Sequence, residues 1–395
     1  MAVVFLKPKR AKPFFYRHPW IYSGAVGRVE GDPEDGEVVE VRDSAGKFIA
    51  KGFYSPNSQI RVRLITWEPG EEVGESFFRE RIRLAVELRS RVLRLDEQTN
   101  AYRVINSEGD HLAGLIVDKY GEFLVVQFLC SGVERRKEVI VGLLWELLSP
   151  KGIYERSDAD VRAKEGLGVA CGVLRGEAPP AEVRIEENGV VFAADIRHGQ
   201  KTGFFFDQRD NRAIAATYAR GKKVLDCFCY TGGFGIYAMK LGGAASLLGI
   251  DESERGIELA RRNAVLNGLA NVEFRVGNVF DELRDLRASG AKFQLVILDP
   301  PKFARAKAEV ESAARGYKDI NLLALQCLDP GGILVTCSCS QHVDDLLFFS
   351  ILNSAAVDAG RAVQVIERCS QATDHPVTAS CPETRYLKCF VCRAT

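Results

Sequence analysis

Apolar and polar positions alternate along residues 1 to about 70. Glu37-Val38-Val39-Glu40-Val41 and Ile60-Arg61-Val62-Arg63-Leu64-Ile65 keep a two-residue period, and glycine turns separate such runs. That period puts one face of a strand on a core and the other in water, so it predicts a small β-rich domain. Trp67-Glu68-Pro69-Gly70 reads as its exit linker. From 75 to 95 the period lengthens. Phe78, Ile82, Ala85, Val86, Arg89 and Val92 recur at helical spacing, with Ser76 placed to cap the helix. Strands over 102–105, 114–117 and 123–129 follow, then a helix over 134–148 and further strands to about 191. This middle stretch predicts a compact α+β unit.

From about 192 the pattern changes to strand–helix–strand. Strands are expected at 224–225, 246–250, 272–276, 293–298 and 332–336, with helices at 235–241, 255–267 and 320–328 between them. Such alternation predicts a parallel sheet with helices on both faces. A last strand over 385–391 is expected to run antiparallel at or near the edge.

In an open α/β sheet, ligands collect beyond the carboxyl ends of the strands. Three such ends carry polar signals. The first is Asp226-Cys227-Phe228-Cys229-Tyr230-Thr231-Gly232-Gly233-Phe234-Gly235, whose glycines allow a tight turn before a helix N-terminus. Asp251 ends the next strand, where a carboxylate can accept hydrogen bonds from ribose hydroxyls. Gly232 and Gly233 are adjacent, so the G-x-G-x-x-G spacing of a dinucleotide site is missing. A single nucleoside with an amino-acid tail, S-adenosylmethionine, fits better than a nicotinamide cofactor. Asp226 can then face its ammonium, and Tyr230, Thr231, Gly232 and Gly233 form the turn. Asn278 reads equally well as a contact to adenine or as a turn residue. The third signal is a pair, Asp299-Pro300-Pro301-Lys302 and Cys337-Ser338-Cys339-Ser340. If their strands are neighbours, an acid and a thiol meet in one pocket.

Composition narrows the class. The chain has 395 residues, 46% hydrophobic and 27% charged, as expected of a soluble protein of two or three domains. No apolar run is long enough for a membrane span, and the basic N-terminus lacks a signal-peptide core, which predicts a cytoplasmic protein. Eleven cysteines without a secretory signal predict free thiols. Net charge is zero, which argues against coating nucleic acid through bulk charge. The charge is uneven, however. Lys7, Lys9, Arg10, Lys12, Arg17 and Arg28 all precede the first acid, Glu30. Phe5, Phe14, Phe15, Tyr16, Trp20 and Tyr22 are interleaved with them, a mixture that suits RNA. Most of these aromatics are expected in the core, leaving Lys7, Lys9, Arg10 and Lys12 for phosphates. No metal site is expected. Cys389 and Cys392 form C-x-x-C, but on a strand they face opposite sides, and the histidines show no ligand spacing.

Several motifs in order resemble one family, the PUA-containing ribosomal RNA large-subunit methyltransferases that make 5-methylcytidine. They are Thr202-Gly203-Phe204-Phe205-Phe206-Asp207-Gln208-Arg209-Asp210-Asn211-Arg212, then Tyr230-Thr231-Gly232-Gly233-Phe234, Asp299-Pro300-Pro301-Lys302-Phe303 and Ser338-Cys339-Ser340. Gly114-Leu115-Ile116-Val117-Asp118-Lys119-Tyr120-Gly121 resembles the family's central domain. The resemblance implies an α/β protein of three domains. These are a PUA-like RNA-binding domain over 1–72, a central α+β domain of EEHEE type over 73–191, and a Rossmann-like methyltransferase over 192–395. It implies S-adenosylmethionine as donor and 23S ribosomal RNA as substrate. Phe206, Gln208 and Arg209 would pack over the cofactor, with Asp299 at its edge. A homodimer is compatible with this reading.

The chemistry follows from cytosine. Its C5 is a poor nucleophile until a thiolate adds to C6, which requires a cysteine with thiolate character. Asp299 is suited to hydrogen-bond N3 as charge develops there. Cys337 and Cys339 are two apart, so strand parity cannot choose between them. By distance from Gly331-Gly332, Cys339 falls where related enzymes carry their nucleophile. Lys302 occupies the place where many RNA cytosine methyltransferases have a second cysteine, and reads equally well as orienting the substrate or its phosphate and as a solvated lysine. The base that removes the C5 proton is unassigned. Two alternatives stand beside this reading: methylation of an exocyclic amine on guanine or adenine, and a non-catalytic RNA-binding assembly factor.

Overall fold

The computed structural model describes residues 1–304 and 306–395. The chain divides into two compact units. One comprises Met1–Ile185, Asp195–Phe206 and Asp374–Thr384; the other comprises Glu186–Ala194, Asp207–Thr373 and Arg385–Thr395.

The first unit holds two sheets. Six strands lie in the order Trp20–Tyr22, Ile60–Thr66, Phe48–Tyr54, Val38–Arg42, Val3–Leu6, Val26–Glu30. The alternation read from the sequence is visible here: Val39 and Val41 are fully buried while Glu40 between them is not. Five strands form the other sheet, in the order Ala170–Gly176, Gly152–Ser157, Phe123–Phe128, Leu115–Tyr120, Ala101–Asn106. Residues 1–72 keep a core of their own, with Val4, Ile21, Val39, Val41 and Val62 in it, and a second cluster joins them to residues 73–191. Phe53 and Ile65 of the first sheet lie in the same cluster as Phe77, Phe78 and Leu144. Their approach is close enough that a Cβ on Gly132 would sit 2.1 Å from the Phe53 ring. Ser76 is not the expected cap. The helix Glu75–Glu87 starts before that residue, with the extended Gly74 at the cap position, and has no side-chain cap. Its continuation, Leu88–Val92, is a wider π turn. There Arg89, fully buried, pairs with Asp110 at 2.8 Å and donates to the Asp374 carbonyl at 2.7 Å.

The second unit is built on seven strands, in the order Val272–Val276, Ser246–Asp251, Lys223–Cys227, Phe293–Leu298, Leu328–Ser338, Lys388–Ala394, Val363–Cys369. The first five are parallel, and Lys388–Ala394 is antiparallel to both neighbours. The last strand is thus one place in from the edge. The edge itself is Val363–Cys369, whose half-exposed residues give the sequence little apolar signal. Helix Val310–Cys327 is longer than the expected 320–328. Central strands covered on both faces read as apolar runs: only Gln294 and none of its five strand-mates in Phe293–Leu298 escapes full burial. Strand order reverses between Lys223–Cys227 and Phe293–Leu298, which opens a crevice at their carboxyl ends. All eleven cysteines are free, as the sequence predicts. Among the described residues no helix is long and apolar enough to cross a membrane.

Candidate active site

The crevice begins where Lys223–Cys227 ends. The chain turns through Phe228, Tyr230 and Gly232, all at positive φ, and enters helix Gly233–Lys240. Asp226 lies beneath this turn, buried, with Oδ2 accepting the Gly235 N–H at 2.8 Å. A Cβ on Gly235 would stand 2.7 Å from Leu247 and 3.0 Å from that carboxylate, so glycine is required. The other oxygen, Oδ1, is buried without a hydrogen-bond partner. An orphaned carboxylate oxygen costs about 1–3 kcal/mol or more. Burial, reinforced by Asp299 and Asp251 and opposed by the Gly235 N–H, pushes the Asp226 carboxyl up to about 8. A cation at Oδ1 would satisfy the oxygen and restore the charge.

Asp251 ends the neighbouring strand as expected. Its oxygens accept the Tyr230 and Ser253 N–H groups, each at 2.9 Å. Burial raises its pKa, against these two bonds. Each oxygen keeps a lone pair for a hydroxyl. Thr231 is buried, and its carbonyl accepts from Asn263 at 3.0 Å, which fixes the middle of the turn. Asn278 caps helix Val279–Ala288 through Oδ1 and donates Nδ2 to Glu252. The turn-residue reading therefore describes its contacts within the protein.

Asp299 follows Phe293–Leu298 and accepts from Gln208 Nε2 at 2.8 Å; Gln208 in turn accepts from Asn211 at 2.6 Å. Strands Phe293–Leu298 and Leu328–Ser338 are parallel neighbours, with Leu298 beside Thr336, so the acid and the cysteine pair are brought together. The two cysteines then part company. Cys337 is fully buried on the strand opposite Cys389, and burial, then Cys389, pushes its thiol well above the ordinary value. The strand ends at Ser338, so Cys339 lies beyond the ladder, partly exposed. The parity argument fails because it assumed that the strand continues. Lys302 is exposed on the segment after Asp299.

Phe206 and Arg209, two more of the expected cofactor contacts, have partners within the protein. Phe206 belongs to the first unit, where its ring lies 4.9 Å from Tyr120 and 5.7 Å from Phe204. Arg209 is buried, with Nε donating to Glu187 Oε2 at 3.1 Å. Glu187 also accepts from Arg212 at 3.1 Å and from the Tyr237 hydroxyl at 2.8 Å. It was missed because it sits in the charged run Arg184-Ile185-Glu186-Glu187, where nothing separates a buried acid from a solvated one. Lys388 was missed likewise; it is a buried lysine at the start of a strand whose other charged residue, Arg393, is exposed.

In the first unit, Lys7, Lys9, Arg10 and Lys12 are all exposed, although Lys7 donates to the Gly24 carbonyl at 3.0 Å. Of the six aromatics among them, only Phe14 is buried. Phe15, Tyr16 and Tyr22 are 45%, 73% and 48% exposed, contrary to the expectation that most belong to the core. Donor atoms of His18, Cys381 and Glu383 lie within 4.8 Å of one another, a grouping the sequence did not announce. His18 Nδ1, however, accepts the Trp20 N–H, so its proton is on Nε2, facing Glu383. That tautomer opposes a metal at Nε2.

The chain is similar to known proteins along its whole length. Residues 4–67 match the family described as a PUA-like domain, and residues 161–387 match the S-adenosylmethionine-dependent methyltransferase family. A Tolumonas auensis protein named ribosomal RNA large subunit methyltransferase I is 48% identical over 397 residues, spanning 100% of this chain and 99% of its own. The Aeromonas hydrophila protein of the same name is 48% identical over 396 residues, with the same coverage. A solved SAM-dependent methyltransferase from Streptococcus mutans shares the fold, with a TM-score of 0.85 at 22% identity over 100% of both chains.

Proposed function

We propose, from the premise that this chain belongs to the S-adenosylmethionine-dependent methyltransferase family, that it forms 5-methylcytidine in 23S ribosomal RNA through a covalent bond between Cys339 and cytosine C6. The observation that carries the reading is the contrast at the end of strand Leu328–Ser338. One thiol is sealed in the core, and the other is partly exposed just past the end of the strand, whose parallel neighbour is followed by Asp299.

The cofactor is S-adenosylmethionine, and the residues present fit it. Asp226 Oδ1 is a buried acceptor awaiting a cation, which the methionine ammonium provides. Asp251 would take the ribose hydroxyls, and the turn from Tyr230 to Gly233 would run beside the nucleoside. Asn278 would meet the adenine edge, in exchange for its bond to Glu252. When bound, the cofactor supplies a methyl group on a positively charged sulfur.

The chain's own residues prepare the acceptor. The Cys339 sulfur gives an electron pair to C6; the C5–C6 π pair moves to form a C4–C5 double bond, and the C4–N3 π pair moves onto N3. Asp299, held by Gln208, would act in its acid form, donating its proton to N3 as charge develops there and taking it back on elimination. C5 thereby becomes nucleophilic. Once methylated, it loses its proton, the double bond re-forms, and the sulfur leaves with its electron pair. Lys302 would orient the nucleotide through its phosphate. The exposed Lys7, Lys9, Arg10 and Lys12 would hold flanking RNA, with 1–72, 73–191 and 192–395 acting as RNA-binding, central and catalytic modules.

RNA carrying 5-fluorocytosine at the target tests the covalent step, because fluorine prevents the proton loss that precedes elimination. A protein–RNA adduct should form with the natural protein and with Cys337→Ala, and be absent with Cys339→Ala. Mass spectrometry of ribosomal RNA nucleosides should show 5-methylcytidine lost with Cys339→Ala alone. Full activity of that variant, with a methylated exocyclic amine as product, would overturn the mechanism.

A further inference from the structure

The mechanism above leaves unexplained how Cys339 becomes a thiolate, and it makes no use of Lys388. This lysine is 5% exposed. Lysine is almost never buried so fully without a partner. It begins strand Lys388–Ala394, where its register partner is Ser338, the residue before Cys339. Its Nζ donates to the carbonyl of Ser340, the residue after Cys339, at 2.7 Å, and to the carbonyl of Tyr386 at 2.9 Å. The side chain therefore bridges the short segment that carries the thiol, and ties it to the end of the sheet where the ladder has stopped.

Four charged or titratable groups face the ammonium. Cys339 and Asp345 favour its charge; Arg385 and Lys302 oppose it. Asp345 is engaged by Arg385 at 2.9 Å, so that pair is largely self-neutralised. Burial, the largest influence, draws the amine down to about 8, which still leaves it mostly protonated at neutral pH. The remaining group that can meet its charge is the Cys339 sulfur.

We propose that Lys388 is a positioning residue that fixes the Cys339 segment and supplies the positive charge against which its sulfur is held as a thiolate. The proton leaves the thiol for solvent, and the lysine stays an ammonium throughout. When sulfur bonds to C6 its negative charge passes into the ring. On elimination the charge returns to sulfur beside the same ammonium. The inference rests on the reading of Cys339 as nucleophile for its purpose, but its test does not need RNA.

The test is the pH profile of Cys339 alkylation by iodoacetamide, followed by peptide mass spectrometry on the full-length protein. In the natural protein, half-maximal reactivity should fall below the ordinary thiol value of about 8.5. Lys388→Met should move it upwards by about one pH unit, which lowers the alkylation rate at pH 7 about ten-fold. Lys388→Arg keeps the charge and should hold the profile near the natural one. Protection of buried Cys337 and Cys389 from the reagent reports whether each variant is folded. An unchanged profile in folded Lys388→Met would overturn the proposal. So would a natural-protein midpoint at or above about 8.5, which decides the matter even if the variants do not fold. The 5-fluorocytosine adduct distinguishes the two readings. An adduct at Cys339 with an unperturbed thiol sinks only the role of Lys388. A perturbed thiol without an adduct sinks only the covalent mechanism.

Discussion

Asp226 shows how far a single residue carries the functional argument. Its free oxygen is buried, and its carboxyl titrates at about 8, far above the aspartate value of about 3.9 expected in an unfolded chain. Because the folded value is the higher one, the neutral acid stabilises the cofactor-free protein fully below pH about 4. That contribution is lost as pH rises through about 8. A bound ammonium prefers the carboxylate and reverses the preference. Affinity for S-adenosylhomocysteine should therefore rise between pH 6 and 8 by calorimetry. Asp226→Asn should flatten that rise and weaken binding by about 10- to 100-fold, the worth of a charged hydrogen bond of about 1.5–3 kcal/mol. A steep pH dependence retained by Asp226→Asn would refute the assignment. The sequence placed Asp226, Asp251, Asp299 and Cys339 at strand ends because polar residues after apolar runs are conspicuous. It could not place Glu187 or Lys388, because a buried charge and a solvated one have the same letter.

Among elements, the legible ones were those with strong periodicity. Strands Val272–Val276 and Phe293–Leu298 were read to the residue, the first, at a sheet edge, because apolar and charged residues alternate along it, and the second because a sealed central strand leaves a nearly unbroken apolar run. Edge strand Val363–Cys369 and helix Asp345–Asp358 escaped notice; the first is half exposed and the second has apolar residues all round. Nor does periodicity show what fastens one element to another. Here Glu187 does so, joining helix Arg209–Thr217 to helix Gly233–Lys240 through Arg209, Arg212 and Tyr237. Gly233 belongs to the same device, for a Cβ there would lie 3.1 Å from Arg212. Glu187→Gln removes a negative charge that two buried guanidinium groups share, and breaking a buried pair costs about 3–5 kcal/mol. Denaturant unfolding should show a loss of that size, with cofactor affinity reduced as the turn loosens. A change below about 1 kcal/mol, the scale of exposed pairs, would mean that water reaches the cluster.

Across the whole chain, charge and connectivity were the least legible properties. Segments Asp195–Phe206 and Asp374–Thr384 belong to the first unit although the chain around them builds the second, an exchange that no local pattern encodes. Net charge is zero, yet Lys7, Lys9, Arg10 and Lys12 are exposed with Phe15, Tyr16 and Tyr22 in the same stretch. Balance over the whole chain thus hides a basic, aromatic surface on one unit, of the kind that tracks a phosphate backbone while bases stack. Four cations that each neutralise a phosphate release counterions, so the logarithm of affinity falls with the logarithm of salt by about 0.7 per contact for single strands. Reversing all four to glutamate should weaken binding to a ribosomal RNA fragment and lower that slope by up to about 3. Lys7 should contribute least, because the Gly24 carbonyl already holds its ammonium. S-adenosylhomocysteine affinity should not change, since none of the four belongs to the unit that holds Asp226 and Asp251. Filter binding across a salt series reads both quantities. An unaltered slope would move RNA recognition away from this surface, to the cationic residues around the crevice, Lys302 first among them.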